Sequence, residues 1–391
     1  MTAYINDYNV VCALGADVGE VRSALFREDA PSGVGPSTFF SAEKPLPLGH
    51  VRAALPSLAH APLAFQSRNN ALLAKAMGPL NLDQVVSRAG GDRVGIILGT
   101  STSGVGESER AHDTYARTGH VPADWHFGQH ELSSGTGFLA WSFNVTGPTL
   151  VVSTACSSSA KAIASAARWL RDDVVDVVIC GGADSMCRFT VAGFLALESV
   201  SAERSNPLSQ NRKGINIGEG VALFVMSRRP GPVRLAGWGE SSDAYHLSAP
   251  DPKGRGAIEA MQQSLSLAQL TARDVDYLNL HGTGTRQNDA MESHAVSAVL
   301  GHEVPVSSTK PLTGHTLGAS GAIEAALCLM ALTGSGALPP HWYDGAFDPA
   351  LPALSLATPG TTSRRAGAPR VVMSNSFAFG GNNAALVMVR E

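Results

Sequence analysis

Val151-Val152-Ser153-Thr154-Ala155-Cys156-Ser157-Ser158-Ser159-Ala160 is the stretch around which this 391-residue chain is organised. Its apolar pair reads as the end of a buried strand. From Ala160 to Leu170, small, apolar and charged residues alternate at helical spacing. Cys156 therefore falls on a tight strand-to-helix turn, at or just before a helix N-terminus. Unpaired N–H groups and the positive end of the helix dipole favour a thiolate there, lowering a pKa that starts near ~8.5. The small neighbours leave room for a carbonyl to approach. A buried structural cysteine is the competing reading; the setting favours a nucleophile.

With 44% hydrophobic and 16% charged residues, the chain can bury a large core as one large domain or two to three smaller ones. A net charge of −4 argues against a nucleic-acid binder, while leaving room for a local basic patch. Cys12, Cys156, Cys180, Cys187 and Cys328 are odd in number and widely spread, with no CxxC pair, which fits a reducing compartment and no zinc site. The N-terminus lacks the charged and apolar regions of a signal peptide. No apolar run reaches about 18 residues, and Ala322 to Leu332 is interrupted by Glu324 and reads as a core helix. The expectation is a cytoplasmic protein with no membrane span.

Along the chain, residues 4–12 read as a strand, Asp17 to Phe26 as a helix, 30–62 as a Pro/Gly/Ser-rich surface excursion, and Asn69 to Met77 as a helix. Residues 110–140 lack strong periodicity and read as an insertion, placed at a subunit contact. The second half repeats the order of the first. Leu278 to Thr285 mirrors Ile96 to Thr102, and Val306 to Thr309 with the helix Gly321 to Leu332 mirrors Val151 to Leu170. Val371 to Ser374 with Gly380-Gly381 mirrors Val177 to Gly182, and Ala384 to Arg390 mirrors Val221 to Arg228. Four matches in one order point to a duplicated strand–helix unit, 1–230 and 231–391. Val/Ile-rich strands alternating with helices imply an α/β core with sheets covered on both faces and active groups at the strand ends.

Three loops of the second half carry unusual residues at such strand ends. His281 opens His-Gly-Thr-Gly-Thr; Lys310 and His315 lie five apart before a helix; Phe377-Ala378-Phe379-Gly380-Gly381 joins two strands. Two histidines on Gly/Thr loops, in a chain with a well-placed cysteine, favour catalysis over structural roles. Metal ligation is the rival, weakened because no third or fourth ligand has suitable spacing.

Thr-Ala-Cys-Ser-Ser-Ser, His-Gly-Thr-Gly-Thr, Ser-Thr-Lys-x-x-x-Gly-His and Asn-Ser-Phe-x-Phe-Gly-Gly together resemble the β-ketoacyl-acyl carrier protein synthases, in particular the elongating Cys-His-His type, over about residues 4–390. The resemblance implies the thiolase fold, two duplicated βαβαβαββ halves in five α-β-α-β-α layers. It implies a decarboxylative Claisen condensation of malonyl-acyl carrier protein with an acyl chain held on Cys156. By the same resemblance, His281 and His315 assist decarboxylation and Lys310 orders the site. Glu292 is the supporting glutamate, with Asp289 an acid behind the loops. Phe379 is the gating phenylalanine, beside Phe377, and its N–H joins that of Cys156 as an oxyanion hole. Thr283 and Thr285 hold the phosphopantetheine arm, and Arg68 and Arg204 contact the carrier protein; ordinary solvated arginines are the alternative there. No metal or cofactor is implied beyond the 4'-phosphopantetheine that the carrier brings, and the family forms dimers, either of one chain or with a chain-length partner.

The sequence departs from the family at Ala378, where Gly is usual, and at Asn382, where Thr is common. The Ala378 change bears on gate mobility if that position needs positive φ. Val105 to Arg110 falls near the acyl tunnel of the family, implying a shorter or more polar chain unless it is an exposed loop. Ile215 to Gly220 is closer to synthases of secondary pathways, including aryl-polyene assembly. A thiolase is disfavoured because its second cysteine is replaced here by Phe377 to Phe379 and His315; a non-catalytic chain-length subunit is disfavoured by Cys156.

Overall fold

The computed structural model describes residues 2–391. Its main sheet is built from β1 (Ala3–Val11), β2 (Val94–Gly99), β3 (Thr149–Val152), β4 (Val177–Asp184), β5 (Gly220–Ser227), β6 (Val233–Ser242), β7 (Tyr277–Asn279), β8 (Pro305–Ser307), β9 (Val371–Ala378) and β10 (Asn382–Arg390). From one edge to the other the order is Ser355–Leu356, β8, β7, β9, β10, β6, β1, β5, β4, β2, β3. The two halves read 1-5-4-2-3 and 6-10-9-7-8, so moving five strands along the chain maps one onto the other. Directions match as well. β2 is parallel to β3 and β4, and β7 is parallel to β8 and β9; β5 and β10 are antiparallel to both their neighbours. The halves meet where β1 pairs antiparallel with β6, Ala3 opposite Leu235.

Side-chain alternation along these strands feeds three separate cores. Ile96 and Leu98 point to one side, against α1 (Arg68–Met77) and α2 (Ser134–Phe143), while Ile97 points to the other. That middle core holds α3 (Ser158–Arg171) and its counterpart α6 (Ser320–Leu332) between the two sheet halves. Beyond the second half, Met373 and Val387 face α4 (Arg255–Ala268) and α5 (Arg286–Leu300). The result is five layers, the duplicated thiolase arrangement expected from the motifs. All of α6 is buried, which explains an apolar run with no polar face.

The central helices approach the sheet and each other closely because glycines let them. A Cβ on Gly99 would lie 2.3 Å from the backbone nitrogen of Ser159, and one on Gly321 would lie 2.9 Å from the Ala160 Cβ. Both contacts bring the N-terminal ends of α3 and α6 to the same place.

Two expectations are corrected. Residues 110–140 are not an irregular insertion: a helix spans Val105–Thr118 and α2 begins at Ser134. The first escaped notice because only Glu107 and Ala111 are buried on it, too thin a stripe to give a period. Val105 to Arg110 form the first turns of the same helix, and none of them lines the cavity that holds Cys156. Residues 30–62, expected as surface excursion, contain a small antiparallel pair, Gly35–Ser37 with Leu46–Leu48, whose leucines are buried. Among the described residues, no helix is long and apolar enough to cross a membrane.

Candidate active site

Between β3 and α3 the chain turns sharply at Ala155, which takes φ +51°. A left-handed non-glycine residue is strained by about 1–2 kcal/mol, and a methyl is the smallest side chain that bears it. The turn is held from within. Ser157 and Ser158 donate their hydroxyls to the carbonyls of Thr154 and Ala155, and the Thr154 N–H donates back to Ser158 Oγ. The serines that looked merely small in the sequence are the clasp. Cys156 emerges two residues before α3, and its thiol is buried.

His315 Nε2 lies 3.0 Å from Cys156 Sγ, and the His281 ring stands edge-on to His315 with centroids 5.4 Å apart. Cys156 Sγ and one nitrogen of each ring all lie within 4.8 Å of one another. Linear spacing gave no sign of such a three-donor group; the fold makes it by joining loops of both halves. Burial, with the nearby Lys310 charge, pushes both imidazoles well below the ordinary histidine range, so both are neutral at pH 7.

The His281 loop is fastened from below. Glu292, one turn and a half into α5, accepts the N–H groups of His281 and Gly282, each at 2.7 Å. Burial raises its carboxyl to about 7, against the pull of those two donors. Asp289 accepts from Gly284 and Leu208 N–H, tying the same loop to the 201–219 segment. Lys310 Nζ donates to the His281 carbonyl at 2.5 Å, lies 3.5 Å from His281 Nδ1, and forms an ion pair with Glu324. Because the ammonium only donates, Nδ1 of His281 is the acceptor, leaving its proton on Nε2. Both members of the ion pair are 2% exposed. Sequence reasoning noted Glu324 only as a charge interrupting an apolar helix. A lone carboxylate there needs a buried partner, and that was the available signal.

Phe379 closes the site from the side. Backbone N–H groups of Phe379 and of Cys156 itself point at the sulfur. Its ring meets Phe194 at 5.6 Å, and Phe377 lies 6.4 Å from His281. Ala378 has φ −118° and ψ 158°, ordinary extended backbone, so alanine fits where glycine was expected and only Gly380 and Gly381 use positive φ. Cys156, both histidines, Thr283, Thr285, Phe377 and Phe379 line one cavity of about 70 Å³. Thr283 and Thr285 bond each other through their hydroxyls at 3.0 Å.

One electrostatic expectation fails. The thiol pKa is not lowered but raised to about 11, because burial outweighs the Lys310 charge and the two N–H groups. The resting pair is a thiol beside a neutral imidazole. Alkylation of Cys156 by iodoacetamide should therefore climb about tenfold per pH unit from pH 7 to 10, following the thiolate fraction. A flat profile over that range would mean a preformed thiolate.

Arg68 and Arg204 have internal partners. Arg68 Nε donates to Glu219 Oε2 at 2.8 Å, and its NH2 group to Oε1. Arg204 donates to the carbonyls of Ser32, Val34 and Pro311. Burial opposes ionisation of Glu219, but Arg68 and His50 outweigh it and hold the carboxyl at about 2. Arg68→Ala should destabilise the fold by about 2–3 kcal/mol in urea at pH 7, below the ~3–5 of fully buried pairs because Arg68 is 40% exposed. A carboxyl lowered in the folded state contributes stability above its unfolded pKa. The difference between wild type and variant should therefore shrink as pH falls from 4.5 towards 2.

A thiol, two neutral imidazoles and two N–H donors around one small cavity form a ketosynthase site on a thiolase fold. The chain belongs to the β-ketoacyl synthase family: residues 73–230 match its N-terminal domain and residues 233–342 its C-terminal domain. It is 34% identical over 330 residues to the tetracenomycin polyketide synthase ketoacyl synthase alpha subunit of Streptomyces glaucescens, covering 76% of this chain and 75% of that one. It is 35% identical over 278 residues to 3-oxoacyl-[acyl-carrier-protein] synthase 2 of Rhizobium meliloti, covering 66% and 65%. Among solved structures it is similar to the ketosynthase ApeO in complex with its chain length factor ApeC from Xenorhabdus doucetiae, with 40% identity, a TM-score of 0.94, and 100% and 98% of the two chains covered. The protein is an elongating ketosynthase, a carbon–carbon bond-forming acyltransferase that works on carrier-bound substrates.

Proposed function

We propose the following division of labour within this site. Residues 1–230 supply the nucleophile and 231–391 the groups that act on the malonyl unit. Cys156 sulfur attacks the acyl thioester. Its proton passes to His315 Nε2, 3.0 Å away, and on to the departing pantetheine sulfur. The Cys156 and Phe379 N–H groups receive the tetrahedral oxyanion. Malonyl thioester then loses CO₂, and its enolate oxygen faces the Nε2–H groups of His281 and His315, which stabilise it without protonating carbon; His315 takes up that tautomer once acylation has removed the thiol proton from its Nε2. The enolate carbon attacks the acyl–Cys156 carbonyl, the new C–C bond forms, and the sulfur leaves as a thiolate that takes a proton from solvent to restore the resting thiol.

The observation that carries this reading is the 4.8 Å cluster of Cys156, His281 and His315. Lys310 argues against a resident cation there, since its ammonium stands 3.5 Å from His281 Nδ1. No cofactor of the chain's own is needed; the carrier's 4'-phosphopantetheine brings both substrates past Thr283 and Thr285. Arg204, Arg212, Lys213 and Arg286 outnumber Glu203 and Asp344 in the lining of a second cavity of about 650 Å³, a net basic face for an acidic carrier, although Arg212 is paired with Asp348 and Lys213 with Glu203. Arg204 keeps its place in that proposal, whereas Arg68 serves Glu219 first.

A partner chain is supported by β3, which ends the sheet with Leu150 exposed, and by exposed Trp141, Phe127 and Phe189 on neighbouring segments. ApeO is solved with a chain length factor, and a subunit of that kind is the partner proposed here, in an aryl-polyene-like or other secondary pathway. Cytoplasmic residence accords with five free cysteines. The test is mass spectrometry of acyl- and malonyl-carrier protein incubated with the chain alone and with a neighbouring synthase-like subunit. A β-ketoacyl product two carbons longer supports the reading. No extension with any primer or partner sinks it.

A further inference from the structure

His341 lies outside the four motifs quoted above, yet it is 1% exposed and both its ring nitrogens are engaged. The Ser308 backbone N–H donates to Nδ1 at 3.0 Å, and Nε2 reaches the Pro207 carbonyl at 3.1 Å. An amide N–H can only donate and a carbonyl can only accept, so the ring is the neutral tautomer with its proton on Nε2. Ser308 is the joint between two catalytic loops. Its hydroxyl donates to the Gly282 carbonyl at 2.6 Å and accepts the Lys310 N–H. A Cβ on Gly282 would lie 2.5 Å from the Ser308 Cβ, so a side chain at 282 would collide with the Ser308 side chain. Gly282 follows His281, and Lys310 holds the His281 carbonyl.

We propose that His341 is a positioning residue for malonyl decarboxylation. It fixes the Ser308 amide, and through Ser308 sets the spacing of the His281 and Lys310 loops. Pro207, on its other side, belongs to the segment that walls the basic cavity, so His341 also ties that wall to the catalytic joint. Cys156, its turn and the Phe379 N–H lie outside this chain of contacts. The decarboxylation half-reaction should therefore depend on His341 far more than thioester transfer does. The inference rests on the division of roles proposed above.

The experiment compares wild type with His341→Ala, His341→Asn and Ser308→Ala. Release of CO₂ from malonyl-carrier protein and acylation of Cys156 are measured separately. His341→Ala should lower the kcat of decarboxylation by about 10–100-fold with KM nearly unchanged, as small displacements of catalytic groups do, while Cys156 acylation stays within about threefold. His341→Asn, whose Oδ1 can take the Ser308 N–H, should recover most of that loss. Ser308→Ala should show the same selective loss, and the double variant should be little worse than either single one. Equal losses in both half-reactions, or no recovery with Asn, would overturn the proposal in favour of a purely structural role. If His341→Ala does not fold, His341→Asn and Ser308→Ala still decide it. A wild type that releases no CO₂ contradicts the proposed function itself; a wild type that does, with unaffected variants, contradicts only the role of His341.

Discussion

Cys156→Ala should lose condensation by at least about 10⁴-fold, because removing a nucleophile removes the covalent route entirely and leaves only binding and the oxyanion donors. The loss should be confined to reactions that need the sulfur. His281 and Lys310 are held by Glu292, Glu324 and the Ser308 joint, and the His315 backbone is held by Asn216 and Gly218, none of which belongs to the thiol's own turn. Malonyl-carrier protein should therefore still be decarboxylated by the variant, giving acetyl-carrier protein without extension. Measuring CO₂ release and product length in one reaction separates the two. Loss of both activities together would mean that the Cys156 turn also organises the histidines. The fold should survive, since alanine retains the Cβ and the turn is clasped by Ser157 and Ser158.

Lys310→Ala should be the most destabilising change in the site. Its ammonium and the Glu324 carboxylate are each 2% exposed. Burial already raises the Glu324 carboxyl, and Lys310 is the main group that pulls it back. Removing one member of such a pair strands the other and typically costs about 3–5 kcal/mol. Lys310 also anchors the His281 carbonyl, so decarboxylation should fall with stability. Replacing both partners by apolar residues, Lys310→Met with Glu324→Leu, separates the effects: most of the stability should return, while decarboxylation stays low because the His281 carbonyl remains untied. Urea unfolding of the two single variants and the double completes the cycle. Additive losses would show that the pair is not coupled.

The strand ends were legible because glycine and small residues mark them, and the repeat was legible because each half presents its buried strands in the same sequence order. The five-layer arrangement came from family resemblance. Local pattern could not give the helix Val105–Thr118, whose charged face turns to solvent along most of its length. Nor could it give the partner of Arg68, which lies 151 positions away at Glu219. The Cys156 turn shows the limit most clearly. Its helix start was read from the chain, but burial of the sulfur depends on Phe379 and His315 from the other half, and burial decides the pKa.

The central claim is that an acyl group rests on Cys156 and is taken from it by a carbon nucleophile made at His281 and His315. The most direct test is a single-turnover chase. The chain is loaded from acyl-carrier protein, freed of excess substrate, and mixed with malonyl-carrier protein labelled at its free carboxyl. Intact-protein and peptide masses are read before and after mixing. The account predicts one acyl group, on the peptide containing Cys156, that disappears at the rate at which labelled CO₂ and the extended carrier product form. An acyl group on any other residue, or its loss as free acid without labelled CO₂, would contradict it.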